Sequence, residues 1–174
     1  KYFVLQNDIK TADTYLEKFA KLMRCTLYNS INETIPLKDE VTTLTLYLEL
    51  EKFRANNKFD FNIIIDDEAI LDYYKIPSLL IQPFVENSII HGIKTLEKNG
   101  RITVEFKTYE ENLICTIEDN GIGRHKSEEL KKQIKTDHKS VGISLISERL
   151  KLMSELYKGT YSFEYIDLAA ISDE

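Results

Sequence analysis

Three short segments of this chain carry side chains suited to holding a nucleotide and its metal. The first is Glu86, Asn87, Ser88, Ile89, Ile90, His91 and Gly92. A side-chain amide oxygen is a hard ligand suited to Mg2+, and Asn87 and His91, four residues apart, share one face of a helix. The second is Asp119, Asn120, Gly121, Ile122 and Gly123, directly after an apolar alternation that ends at Ile117. A carboxylate at a strand end can accept a hydrogen bond from an exocyclic amine such as that of adenine, and glycines beside it let backbone approach a ring or its phosphates. The third is Gly142, Ile143, Ser144 and Leu145, where a glycine opens a helix whose N-terminal amides can face phosphate oxygens. Each segment alone has a plainer reading: a solvent-facing Asn, a turn, a helix cap. Their order and separation carry the argument.

The rest of the chain must hold these segments together. Its 174 residues, 43% hydrophobic and 30% charged, have the balance of a soluble globular protein, with length for one domain and a small helical appendage. No apolar run approaches the ~18–20 residues that cross a bilayer, and no signal-peptide pattern opens the chain. A net charge of −6 speaks against a nucleic-acid surface, because neutralising phosphates needs clustered Lys and Arg. Cys25 and Cys115 lack metal-type spacing and sit among apolar neighbours, which predicts two buried thiols in a reducing compartment. A start at Lys1 that runs straight into helical periodicity predicts a piece of a longer protein, with any membrane anchor upstream.

Ile9, Ala12, Leu16, Phe19 and Met23, continued by Leu27 and Ile31, step by threes and fours and predict one long amphipathic helix, ended by Pro36. Leu37, Val41, Leu44 and Leu48 predict a second helix, with Leu46, Leu50 and Phe53 as a further apolar face. The expected product is a helical hairpin over residues 1–57. Its broad stripe calls for packing against a second chain or against the rest of the protein, with an ordinary intrachain layer as the alternative. Period two over Phe59–Ile65 predicts a strand, and Ile102–Phe106 with Leu113–Ile117 predicts an antiparallel pair. Ile76–Ile93 reads as a helix with Pro77 in its first turn and Pro83 breaking or restarting it. Val141–Tyr157 reads as a helix and Thr160–Ile166 as a strand. The fold class is therefore α+β: the hairpin, then over residues 58–174 a two-layer α/β sandwich whose mixed, mostly antiparallel sheet carries helices on one face.

Together the three segments resemble the N box, G1 box and G2 box of the ATPase superfamily that includes histidine kinases, gyrase, the Hsp90 chaperones and MutL-type repair proteins. Within it, Ile76 to Gly92 (IPSLLIQPFVENSIIHG) resembles the sensor kinases of the LytS/YesM type. Ala12 to Arg24 (ADTYLEKFAKLMR) and Leu37 to Arg54 (LKDEVTTLTLYLELEKFR) look like the segments between that family's phosphoacceptor box and its ATP domain. Val141 to Leu150 (VGISLISERL) completes the resemblance, with Arg149 and Leu150 matching a helix pair common there. The resemblance implies ATP and Mg2+ as cofactors, with Asn87 on the metal, His91 in the N box, and Asp119 reading adenine. Gly121 and Gly123 would shape the pocket, and Gly142 with Ser144 would form the phosphate side. Glu86 becomes the candidate to orient a nucleophile or a metal-bound water. The polar segment between Arg124 and Ser140, with Lys126, Lys131, Lys132, Lys135 and Lys139, would be an ATP lid, although a solvated charged face is the commoner meaning of such a run. A response regulator, a homodimer of the whole protein and a cytoplasmic position beneath a membrane anchor are the further implications.

Two departures stand beside it. Ser144 replaces the second glycine of the third box, and the expected final Gly-Thr strand is missing, which predicts a chain truncated before its last strand. None of the three histidines, His91, His125 and His138, has the apolar-aromatic surroundings of the family's phosphoacceptor, so the expectation is an acceptor upstream and no autophosphorylation by residues 1–174 alone. A gyrase- or chaperone-like ATPase is disfavoured, because the position of its general base, four residues before Asn87, is Pro83. The other alternative is a nucleotide-binding regulatory or dimerisation module with little or no kinase activity.

Overall fold

In the computed structural model, which describes residues 9–93, 96, 99–123, 141–157, 160–166 and 168, the first apolar stripe forms α1, Ile9–Ser30. Its last carbonyls are taken up locally: Ser30 Oγ donates to Leu27 O (2.8 Å) and Asn32 Nδ2 to Tyr28 O (3.1 Å). A short strand β1, Thr34–Pro36, leads directly into α2, Leu37–Arg54. Asp39 and Glu40 lie in the first turn of α2 and Lys52 and Arg54 in the last, the distribution the helix dipole favours. Asn56 and Asn57 then reverse the chain at φ 53° and 57°, a left-handed conformation that Asn tolerates.

Tyr15 stacks on Phe53 (5.5 Å between centroids), Lys18 pairs with Glu49 (3.0 Å), and Asn29 Nδ2 donates to Thr43 Oγ1 (3.0 Å). Contacts that climb one helix while descending the other leave much of the α1 stripe uncovered. Leu16 is 62% exposed and Leu27 61%, with Phe19 and Met23 also open to solvent.

The sheet is mixed. In β2 (Phe59–Ile65), β4 (Gly100–Tyr109) and β5 (Asn112–Asp119) the order is β2-β4-β5, with β2 parallel to β4 and β4 antiparallel to β5. Phe59, Ile102, Val104 and Phe106 point to one side and are fully buried against Leu44 and Leu48 of α2 and Val85, Ile89 and Ile93 from the connection between β2 and β4. A parallel pair needs such a crossover. It contains α3 (Ile70–Tyr73), β3 (Lys75–Pro77, antiparallel to β1), α4 (Gln82–Asn87) and a π-helical turn, Ser88–Ile93. The last described helix, α5, spans Val141–Tyr157. The class is α+β with mostly antiparallel ladders, as expected.

Three expectations are corrected. Ile76–Ile93 is not one helix: Ile76 pairs with Ile35, Pro77 ends β3, and a turn with Leu79 at φ 55° separates it from α4. A residue before proline is driven to extended backbone, so Pro77 holds Ile76 in the strand, and Pro83 sits in the first turn of the helix that restarts. Thr160–Ile166 joins no ladder among the described residues. Its aromatic side chains are anchored instead on α4, with Phe163 5.2 Å and Tyr165 6.4 Å from the Phe84 ring. Cys25 and Cys115 are free thiols but only partly buried; desolvation, ahead of the nearby Glu40 charge, still pushes the Cys115 thiol up to about 12.

Candidate functional site

Asp119 is the last residue of β5, opposite Ile102 in the register. The chain then turns sharply, and the turn is tied to the start of β4 by Asn120, whose Oδ1 accepts the Arg101 N–H (2.6 Å) while its own N–H donates to Arg101 O (3.2 Å). Gly121 N–H donates to Asp119 Oδ1 (2.9 Å). Against this turn lies the end of the π turn. A Cβ added to Gly92 would come within 2.5 Å of Asp119 Oδ1, and one added to Gly121 would meet both that oxygen, at 2.5 Å, and the Gly92 Cα. Ile122 N–H reaches Gly92 O at 3.4 Å. The first two sequence segments thus meet backbone to backbone, with the half-buried Asp119 carboxylate between them. Gly123 has φ 76°, which a side chain would strain.

Asn87 closes α4, one residue before the wider π turn, a departure from α geometry that recurs at functional sites. Its Nδ2 donates to Pro83 O (2.8 Å). That bond fixes which way the amide is turned and leaves Oδ1 on the other side, the atom a hard cation would take. Among the described residues no group of three or more His, Cys, Asp or Glu gathers as a metal cage. His91 is half-buried on the π turn, whereas Glu86 is exposed. The Glu86 charge acts on Tyr47 of α2, whose hydroxyl is pushed above its ordinary range by burial first and by Glu86 and Glu51 after it.

Gly142 and Ser144 lie in the first turn of α5. The lid expected over residues 124–140, with Lys126, Lys131, Lys132, Lys135, Lys139, His125 and His138, lies outside the described residues. Further along α5, Ile146, Leu150 and Met153 are buried. Arg149 reaches the turn before α4, donating from Nη1 to Ser78 O (2.6 Å) and from Nη2 to Ser78 Oγ (3.3 Å) and Glu33 O (3.5 Å).

That same turn is gripped from the other side by Glu40 of α2, a residue outside the three sequence segments. It is 1% exposed, with Oε2 accepting the Leu79 N–H (3.1 Å) and Oε1 the Ile81 N–H (3.0 Å). A signal existed: Glu40 lies three residues after Leu37 and four before Leu44, on the buried face of α2, where a lone carboxylate is costly unless bonded. Burial raises its carboxyl above the ordinary range, opposed by the N–H groups of Ile81 and Leu79 and by the Arg149 charge.

Comparison with known proteins finds relatives among the sensor histidine kinases. A family model described as histidine kinase matches residues 1–59. The sensor protein LytS of Staphylococcus epidermidis is 34% identical over 116 residues, 67% of this chain and 19% of that protein. The sensor histidine kinase BtsS of Escherichia coli is 29% identical over 148 residues, covering 85% of the chain and 24% of its own length. LytS of Enterococcus faecalis is 28% identical over 170 residues, 94% of the chain and 28% of that protein. The chain thus spans about a fifth to a quarter of the length of these relatives.

Proposed function

We propose, for a chain that belongs to the LytS-type sensor histidine kinases, that residues 58–174 bind ATP with Mg2+ and deliver its γ-phosphoryl group to a histidine of the whole protein outside residues 1–174. In that transfer the bond from phosphorus to the β–γ bridging oxygen breaks, a bond to an imidazole nitrogen forms, and ADP leaves. A response regulator then takes the phosphoryl group. Asp119 accepts from the adenine amine, Asn87 Oδ1 faces the metal, His91, Gly121 and Gly123 line the nucleotide, and Gly142 and Ser144 bound its phosphate end. Glu86, exposed near the end of α4, orients the incoming nucleophile. Such chemistry is chiefly positioning and charge stabilisation.

The observation that carries this reading is the close approach of Gly92, Gly121 and Asp119, because a cradle that admits no side chain leaves a carboxylate and bare backbone for a flat ring. Residues 1–57 serve as the helical hairpin that pairs two copies of the whole protein, a role supported by the exposed face of Leu16, Phe19, Met23 and Leu27. No described helix is long and apolar enough to cross a membrane, and the site is proposed to work on the cytoplasmic side of a protein anchored elsewhere in its length.

Calorimetry tests the reading directly. The chain should bind ATP and ADP, and Asp119→Asn should weaken both alike, since adenine is common to the two. A parent chain that binds neither, or an Asp119→Asn variant with unchanged affinity, overturns it.

A further inference from the structure

Asn87 does not hold itself in place. Its Nδ2 hangs on Pro83 O, Pro83 lies in the first turn of α4, and that turn is closed by the Phe84 and Val85 N–H groups on Ile81 O (3.1 and 3.3 Å). The N–H of Ile81, on the opposite side of the same peptide chain, goes to Glu40 Oε1. Leu79, at φ 55°, turns its own N–H to the second carboxylate oxygen. Successive N–H groups aimed at one anion form a backbone nest, and here the anion is a side chain from a helix 39 residues earlier in the sequence. Arg149 completes the arrangement from α5 by taking the carbonyl and hydroxyl of Ser78, the residue preceding the nest, and its charge acts on Glu40.

We propose that Glu40 and Arg149 are positioning residues for Asn87: by gripping the Ser78–Ile81 turn from two sides they set where α4 begins and hence where the Asn87 amide points. This rests on the reading above that Asn87 faces Mg2+. The three elements so joined are α2 of the helical region, the connection carrying Asn87, and the helix opened by Gly142. A shift of α2 along its axis is thereby passed to the metal side of the site through hydrogen bonds, whereas the adenine side, tied to β4 through Asn120 and Arg101, meets α2 only through the apolar packing of Leu44 and Leu48 on the sheet. Glutamine cannot replace Glu40 in this role, because its amide nitrogen would turn a donor toward a backbone donor.

The experiment uses the 174-residue chain with Glu40→Gln, Arg149→Gln and Arg149→Lys. Two quantities are read: the ratio of ATP affinity with and without Mg2+, and the NMR signals of the Asn87 side-chain NH2 in the nucleotide-free protein, identified by their loss in Asn87→Asp. Glu40→Gln and Arg149→Gln should each lower the Mg2+-dependent ratio about tenfold, with Mg2+-free ADP affinity held within twofold, and should move the Asn87 NH2 signals and speed their exchange. Arg149→Lys, which keeps the charge and one donor, should recover part of both effects. The inference is overturned if the Asn87 signals stay where they are in all three variants, or if ADP without metal is lost in step with Mg2+-ATP. A parent chain with no Mg2+-dependent affinity overturns the functional reading instead, and the NMR arm then decides the positioning role alone. Should Glu40→Gln fail to fold, the two Arg149 variants carry the same comparison.

Discussion

Gly92 and Asp119, 27 residues apart in the sequence and on different elements, lie so close that a methyl group on the first would come within 2.5 Å of a carboxylate oxygen of the second. Gly92→Ala must therefore push the carboxylate aside or lift the π turn from β5. Overpacking of this kind costs about 1–3 kcal/mol, so the variant should fold with a lowered urea midpoint. It should also lose affinity for ATP and ADP together. Unchanged affinity for both in calorimetry would mean that Asp119 does not meet the base.

Asn87→Ala should behave differently. It removes the bond to Pro83 O, worth about 0.5–1.5 kcal/mol, and with it the oxygen proposed for the metal. Mg2+ should no longer raise ATP affinity, whereas ADP binding without metal should stay within twofold. A variant that still responds to Mg2+ as the parent does would exclude Asn87 as the ligand.

The exposed stripe on α1 predicts a separation of stability from association. Leu16 and Leu27 are each more than 60% exposed, so Leu16→Gln with Leu27→Gln should change the unfolding free energy of this chain by no more than ~0.5 kcal/mol per site. The same changes in the whole protein should weaken its self-association in sedimentation. A large loss of stability in the 174-residue chain would instead mean that the stripe is covered by its own fold.

Glu40 gives a pH dependence with a definite sign. Burial raises its folded-state value above the ordinary 4.5, so the folded chain holds a proton that the unfolded chain has already released. Its contribution to stability is fully present below the unfolded value and is lost as pH rises through the raised folded one. As pH rises above the ordinary carboxyl value, stability of the parent should therefore fall relative to Glu40→Gln, whose amide does not titrate. Parallel stability curves for the two proteins in urea titrations would show that Glu40 keeps its ordinary value.

How far the sequence could be read follows from where each interaction partner lies. The strands Phe59–Ile65, Ile102–Phe106 and Leu113–Ile117 and the long helices declare themselves by period, because each is stabilised by burying one face. The three chemical segments are local too, and the pairing of Gly92 with Asp119 brings together residues already singled out. Ile76–Ile93 mimics one helix because its apolar residues serve three different elements in turn, and the turn that separates β3 from α4 is held by a carboxylate from α2. Thr160–Ile166 alternates like a strand, yet its rings pack on Phe84 and no neighbouring strand among those described accepts it. Glu40 is hard to read from sequence for the same reason: its partners are backbone N–H groups about 40 residues away, and backbone leaves no mark in the order of side chains.

The parallel ladder between β2 and β4 also bears on the order of assembly. β4 and β5 are joined by only Glu110 and Glu111, with Tyr109 paired to Asn112, whereas Phe59 pairs with Gly100 across the whole crossover. Closing the longer loop costs more chain entropy before any contact offsets it, and such pairings form late. The hairpin that ends at Asp119 is thus expected to gain protection first in pulsed hydrogen exchange, with the β2 amides following. Simultaneous protection of β2 and β5 would contradict that order. The half of the site proposed to meet the base is then built from local pieces, and the half proposed to meet the metal is a late arrival whose geometry waits on α2.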